Sequence, residues 1–124
     1  MTFPRLYNLE SSEDSSANEI KTGRFNFNDG SPKTVFTLQN TSQILTMQIK
    51  IDVPFDGVAP TLTVGTGAVP DKYIKTYQND PKTADEYETN PFDVLAADTP
   101  IIVTIVPSGS TQGSGIVVCE YKKP

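Results

Sequence analysis

Four acids, Asp80, Asp85, Glu86 and Glu88, are the residues whose types and spacing come closest to chemistry. Loop oxygens of this kind can wrap calcium, but the DxDxDG spacing of a calcium loop is missing and Lys82 sits among the acids. Two carboxylates can also flank a glycosidic bond, yet such a site needs aromatic walls and the chain has no Trp. A solvated acidic loop is therefore expected, and no catalytic residue, metal site or cofactor is assigned. Histidine is absent, which removes Ser-His-Asp and Cys-His nucleophile systems and the His-containing zinc sites. The single cysteine, Cys119, can form neither an intramolecular disulfide nor a thiolate cage, and its neighbours in GIVVCEY suggest a small hydrophobe in a strand. Gly65–Gly67 lacks the Lys-Ser/Thr of a phosphate loop, and SGSTQGSG does not meet the G-x-S-x-G pattern.

Binding is the remaining possibility. Tyr73, Tyr77 and Tyr87 fall in one region and could present flat rings with polar tips to a sugar, although half-buried packing is the commoner use of Tyr in a small β-domain. Phe3, Leu6, Tyr7 and Leu9 precede the acidic, serine-rich run SSEDSSANE. Four large apolar residues so close together suggest an arm that docks on a neighbouring subunit, against the alternative of a frayed end. The net charge of −5 argues against nucleic acid, whose phosphates call for basic side chains, and against an anionic membrane surface. No apolar run reaches the ~18 residues of a membrane span, and the first residues lack the features of a signal peptide. Assembly in a reducing cytoplasm is expected.

The elements that must position these residues are strands. In ILTMQIKIDV (residues 44–53), Leu45, Met47, Ile49, Ile51 and Val53 alternate with Thr46, Gln48, Lys50 and Asp52, giving one apolar face. RFNFN (24–28) and TVFTL (34–38), joined by the turn NDGSP, are expected to form a hairpin. TLTVG (61–65) is another strand, with Leu62 and Val64 inward, followed by weaker pieces at 72–77 and 85–89. IIVTIV (101–106) and GIVVCEY (115–121) are expected to pair as a second hairpin across SGSTQGS, with Ile101, Val103, Ile105, Ile116 and Val118 in the core. About eight short strands with frequent turns imply an all-β fold, an antiparallel β-sandwich of jelly-roll type. Its expected organisation is an extended N-terminal arm over residues 1–22 and one domain over 23–124.

The stretch from Ile44 to Tyr121 resembles small virion proteins of tailed bacteriophages. The resemblance is carried by ILTMQIKIDVPFDGVAPTLTVG, by PDKYI and by ADTPIIVTIVPSGSTQGSGIVVCEY. In those proteins a strand leads into F-D/N-G-x-A-P-T-L-T-V-G, and a G-S-T-x-G-x-G loop closes the chain. The resemblance implies a non-enzymatic virion part assembled in the host bacterial cytoplasm, a capsid decoration or fibre-base protein, and leaves head, neck and tail open. The partners it implies are other virion proteins, namely the major capsid protein or fibre and neck proteins. It also implies a homo-oligomer, three-fold by analogy. A carbohydrate-binding module that touches the host surface is the competing reading.

Overall fold

A computed structural model describes residues 18–124; the arm residues Phe3, Leu6, Tyr7 and Leu9 lie outside the described residues. Eight strands follow one another: β1 (Glu19–Asn26), β2 (Lys33–Leu38), β3 (Gln43–Val53), β4 (Thr61–Gly65), β5 (Glu86–Thr89), β6 (Asp93–Val94), β7 (Thr99–Val106) and β8 (Ser114–Lys122). The helical content of the described residues is a three-residue 3₁₀ turn, Thr76–Gln78. One sheet has the order β1-β8-β3-β5, with β6 also paired to β3; the other has the order β2-β7-β4. All pairs are antiparallel.

The pairing is nested. The first described strand pairs with the last, β2 pairs with β7, and β3 takes β5 and β6. A single bridge from Val64 to Ile74 gives β4 its counterpart. This is a jelly-roll sandwich in which one strand has shrunk to a bridge. Met47, Ile49 and Ile51 of β3 face Leu62 and Val64 of β4 and Ile101, Val103 and Ile105 of β7 across a common core.

Three features depart from the sequence expectation. β3 carries bulges between Ile44 and Thr46 and between Ile51 and Val53. Each inserts an extra residue and resets the alternation. Ile44 is therefore buried where Leu45 was expected, Leu45 is half-buried, and Val53 is exposed. β8 has the opposite phase to the expected one: Val117, Cys119 and Tyr121 face inward, while Ile116 and Val118 are half-buried on the outer face. The reason is visible in Glu120, which shares a face with Ile116 and Val118 and would be buried as a charge in the expected phase.

Third, neither expected hairpin forms. β1 and β2, like β7 and β8, belong to different sheets, so NDGSP and SGSTQGS carry the chain from one sheet to the other. β7 is apolar on both faces and lies at the centre of its sheet, paired to β2 on one edge and β4 on the other. Its outward residue Ile102 is buried within this chain, paired with Gly65, where the Val69–Pro70 backbone folds so close that a Cβ on Gly65 would lie 2.3 Å from the Val69 carbonyl oxygen. β1 is a strand from Glu19, and the sheet takes up residues 19–22 that were expected in the arm.

The β8 phase gives a direct test. Val117→Asp places an unpaired charge in the core and should abolish the cooperative melting transition, whereas Val118→Asp should keep the transition with a small fall in Tm. Met47→Asp should behave like Val117→Asp. Circular dichroism melts of the three variants decide the register.

Candidate functional site

The loops gather at the two ends of the sandwich, and the ends differ in chemistry. At one end the 54–60 and 107–113 connections are tied together. Asp56 accepts hydrogen bonds on one carboxylate oxygen from the Thr111 amide (2.6 Å) and on the other from the Thr111 hydroxyl (2.6 Å), with the Gln112 amide adding a longer contact. These donors, the Thr111 hydroxyl first, hold the Asp56 carboxyl below the usual carboxylate range. The Ser110 hydroxyl accepts from the Gly57 amide (2.8 Å), and Val58 N–H donates to the Ser108 carbonyl (3.1 Å). Residue 57 must be glycine: a Cβ there would lie 2.4 Å from the Pro107 carbonyl oxygen. Lys82 donates to the Gly57 carbonyl and the Phe55 amide to that of Pro81, which pins the 79–85 loop to the same cluster. The result is a stiff platform rimmed by the exposed side chains of Val58, Val53 and Val106, with Val58 90% exposed.

The other end holds a cleft of about 390 Å³ between residues 66–72 and 93–100. Its floor is a polar triad. The Tyr73 hydroxyl donates to Asp93 Oδ2 (2.7 Å), and Lys72 Nζ lies 3.2 Å from the same oxygen. The Tyr73 hydrogen bond, then Lys72, keeps the Asp93 carboxyl below its ordinary range, while burial and the adjacent carboxylate push the Tyr73 phenol far up. The phenol therefore stays a donor and the carboxylate an acceptor throughout the physiological range. The walls are apolar, with Ala68, Val94, Ala96, Ala97 and Pro100 among the lining residues. Phe92, next in the chain to Asp93, is 59% exposed and sits at φ 51°, an uncommon backbone for a bulky residue.

The residues singled out from sequence are placed as follows. Tyr73 is 3% exposed and Tyr87 packs on the core at the sheet edge, with its hydroxyl on the Asp80 carbonyl; Tyr77 alone of the three is well exposed. No three-ring sugar face is assembled. Three of the four acids are spent on local bonds: Asp80 closes its own turn through Lys82 N–H and Thr83 Oγ1, Asp85 accepts from the Glu86 amide, and Glu86 accepts from Gln48 Nε2, while Glu88 is exposed on β5. Among the described residues no three His, Cys, Asp or Glu side chains gather as metal ligands do. Cys119 is buried, and burial first, then Glu120, raises its thiol to about 12, which leaves it without thiolate at neutral pH. The cleft was not read from the sequence. Its parts, DKY and FDV, are separated by the acidic loop, and the only local hint is the Asn-Pro preceding Phe92.

No family model and no curated protein matches the chain. Solved structures share its fold, two phage capsid chains among them. A chain of the cyanophage Pam1 capsid asymmetric unit superposes with a TM-score of 0.70 at 19% identity, over 86% of this chain and 85% of that one. A chain in the acidic stable capsid structure of Helicobacter pylori bacteriophage KHP30 superposes with a TM-score of 0.69 at 10% identity, over 84% of this chain and 86% of that one. At these identities the likeness establishes the fold.

The triad and the Asp56 knot set an acid limb for stability. Asp56, Asp93 and Asp29, the last held by Lys33 and the Asn26 amide, all have lowered folded-state values. Their contribution is present above the unfolded carboxylate value of about 3.9 and is lost as pH falls through the lower folded values. Tm should thus hold steady from about pH 5 upward, as far as these groups are concerned, and fall steeply below about pH 4. Tyr73→Phe should cost about 1–2 kcal/mol at pH 7, discounted for the partial exposure of Asp93, with a smaller loss in acid, where the wild-type carboxylate is itself neutralised. Gly57→Ala should cost about 1–3 kcal/mol by forcing the two loops apart. Thermal melts across pH check all three.

Proposed function

We propose that this protein is a non-enzymatic structural component of a tailed-phage virion, a capsid decoration or accessory protein. The observation that carries the reading is the fold: most of the chain superposes on chains of two phage capsid structures, and that likeness covers most of those chains as well. Its partners are other virion proteins, with the major capsid protein first among them. The chain reaches them through its N-terminal arm and through the ends of the sandwich, as a homo-oligomer whose symmetric contacts multiply weak ones. The chemistry of the described residues supports a binding rather than a catalytic role. The hydroxyls and carboxylates at both ends are engaged in holding loops, and a stiff platform such as the Asp56 knot loses little entropy on docking. With Tyr73 and Tyr87 packed inward, a carbohydrate-binding reading lacks the ring platform it would need.

Purified particles should contain this protein in fixed stoichiometry, with density for a jelly-roll domain on the capsid in a reconstruction of the intact virion. Absence from purified particles would overturn the reading, and density confined to the neck or tail would overturn the capsid placement. Deleting Met1–Asn18 should leave the sandwich folded and weaken its retention on the particle, measured by sedimentation with the capsid. A glycan array and a hydrolase screen should both be blank.

A further inference from the structure

We propose that the cleft between residues 66–72 and 93–100 is the seat of the chain's own apolar segment, Phe3–Leu9. This seat is a property of the free chain and stands apart from any place in a particle.

The register of the larger sheet puts the root of the arm and the cleft in one row. Glu19 pairs with Tyr121, Tyr121 with Ile44, and Ile44 with Asp93, a floor residue of the cleft. Neighbouring strands lie about 4.8 Å apart, so Glu19 and Asp93 are separated by about 14 Å across the sheet. Both sit at the end of the sandwich opposite the Asp56 platform. Residues 10–18, nearly all Ser, Asn and acids, form the tether between Leu9 and Glu19. Nine residues reach about 30 Å when fully extended, and a Ser-rich linker of that length averages about 17 Å. Effective concentration is highest when the average span of a tether matches the distance it must bridge. That match favours the chain's own cleft over the cleft of a second copy.

The chemistry of the two parts is complementary. The cleft walls are small and apolar, Val94 among them is exposed, and so are Phe92 and Val69, the chain neighbours of lining residues Asp93 and Ala68. Large apolar groups left in water in this way mark a surface that expects a partner. Residues 1–9 supply Phe3, Leu6, Tyr7 and Leu9 and contain one charge, Arg5. The charged residues lining the cleft are Lys72, Asp93 and Asp98, which sum to one net negative charge at neutral pH. The acids of the arm begin only at Glu10, in the tether, so the segment brings no carboxylate toward Asp93 or Asp98.

The test uses the full chain. Phe3→Cys, Leu6→Cys and Leu9→Cys are each combined with Ala97→Cys in the cleft or, as a control, with Val58→Cys on the opposite end, and disulfide formation is followed under mild oxidation. Cys119 is buried and does not compete. At least one arm position should form an intramolecular disulfide with Ala97→Cys about tenfold faster than with Val58→Cys. Equal rates at all three positions would overturn the proposal, and a disulfide-linked dimer as the main product would reassign the seat to a second copy. In parallel, trypsin cleavage after Arg5 should be slow in the wild type and several-fold faster in Val94→Asp, which charges the cleft at an already exposed position. An unchanged cleavage rate would also overturn the proposal.

Discussion

The ladder between β3 and β8 is the interaction on which the rest of the sandwich depends. It runs from Gln43–Lys122 to Val53–Ser114 and places Met47, Ile49 and Ile51 beside Cys119, Val117 and Gly115 on one inner face. Every other strand of the larger sheet attaches to one of these two: β1 to β8, and β5 and β6 to β3. The partners lie some 70 residues apart in sequence, so the core cannot form until the chain has closed on itself. Such non-local pairing makes a slow-folding topology, and one that, once closed, is held at both ends of the chain together.

That closure explains the different characters of the two ends. Where β3 and β7 run out, the loops that follow must carry the chain into the other sheet. Their backbone groups are satisfied by each other and by Asp56, Ser108 and Ser110 instead of by a strand ladder. At the opposite end the strand facing β4 has shrunk to the Val64–Ile74 bridge. A full strand there would leave little room for a cleft. The shortened pairing leaves space beside Tyr73, and the Lys72–Asp93–Tyr73 triad holds its floor in place of a ladder.

The likeness to phage capsid chains concerns this same architecture, nested pairing with loops at two ends, and it persists where few residues are shared. A jelly roll tolerates wide substitution because its inner faces ask only for apolar residues of fitting volume, while its loops and outer faces are free to take up new partners. Function in such a fold resides in the ends and surfaces. In this chain those are the stiff platform rimmed by Val58, the cleft beside Phe92, and the outer sheet face that carries Ile116 and Val118.

By itself the sequence determined the all-β class, the places of most of the longer strands and the inward residues of β4 and β7. It also determined the lack of histidine and of a second thiol, on which the absence of familiar catalytic systems rests. Alternation in ILTMQIKIDV was enough to find β3, because one buried face imposes a period of two. Only the tertiary structure decided the phase of β8, since GIVVCEY is apolar on both registers and the choice turns on keeping Glu120 out of the core. Only it decided that Ile44 replaces Leu45, because a bulge is invisible to a period-two pattern. It likewise turned the two expected hairpins into crossings between sheets. A turn sequence such as NDGSP specifies a local bend, whereas the strand beside which the chain next lies is set by partners distant in sequence, β8 for β1 and β7 for β2. The cleft belongs to the same class, because Lys72, Tyr73, Asp93 and the 95–100 loop meet only after β6 has paired with the start of β3.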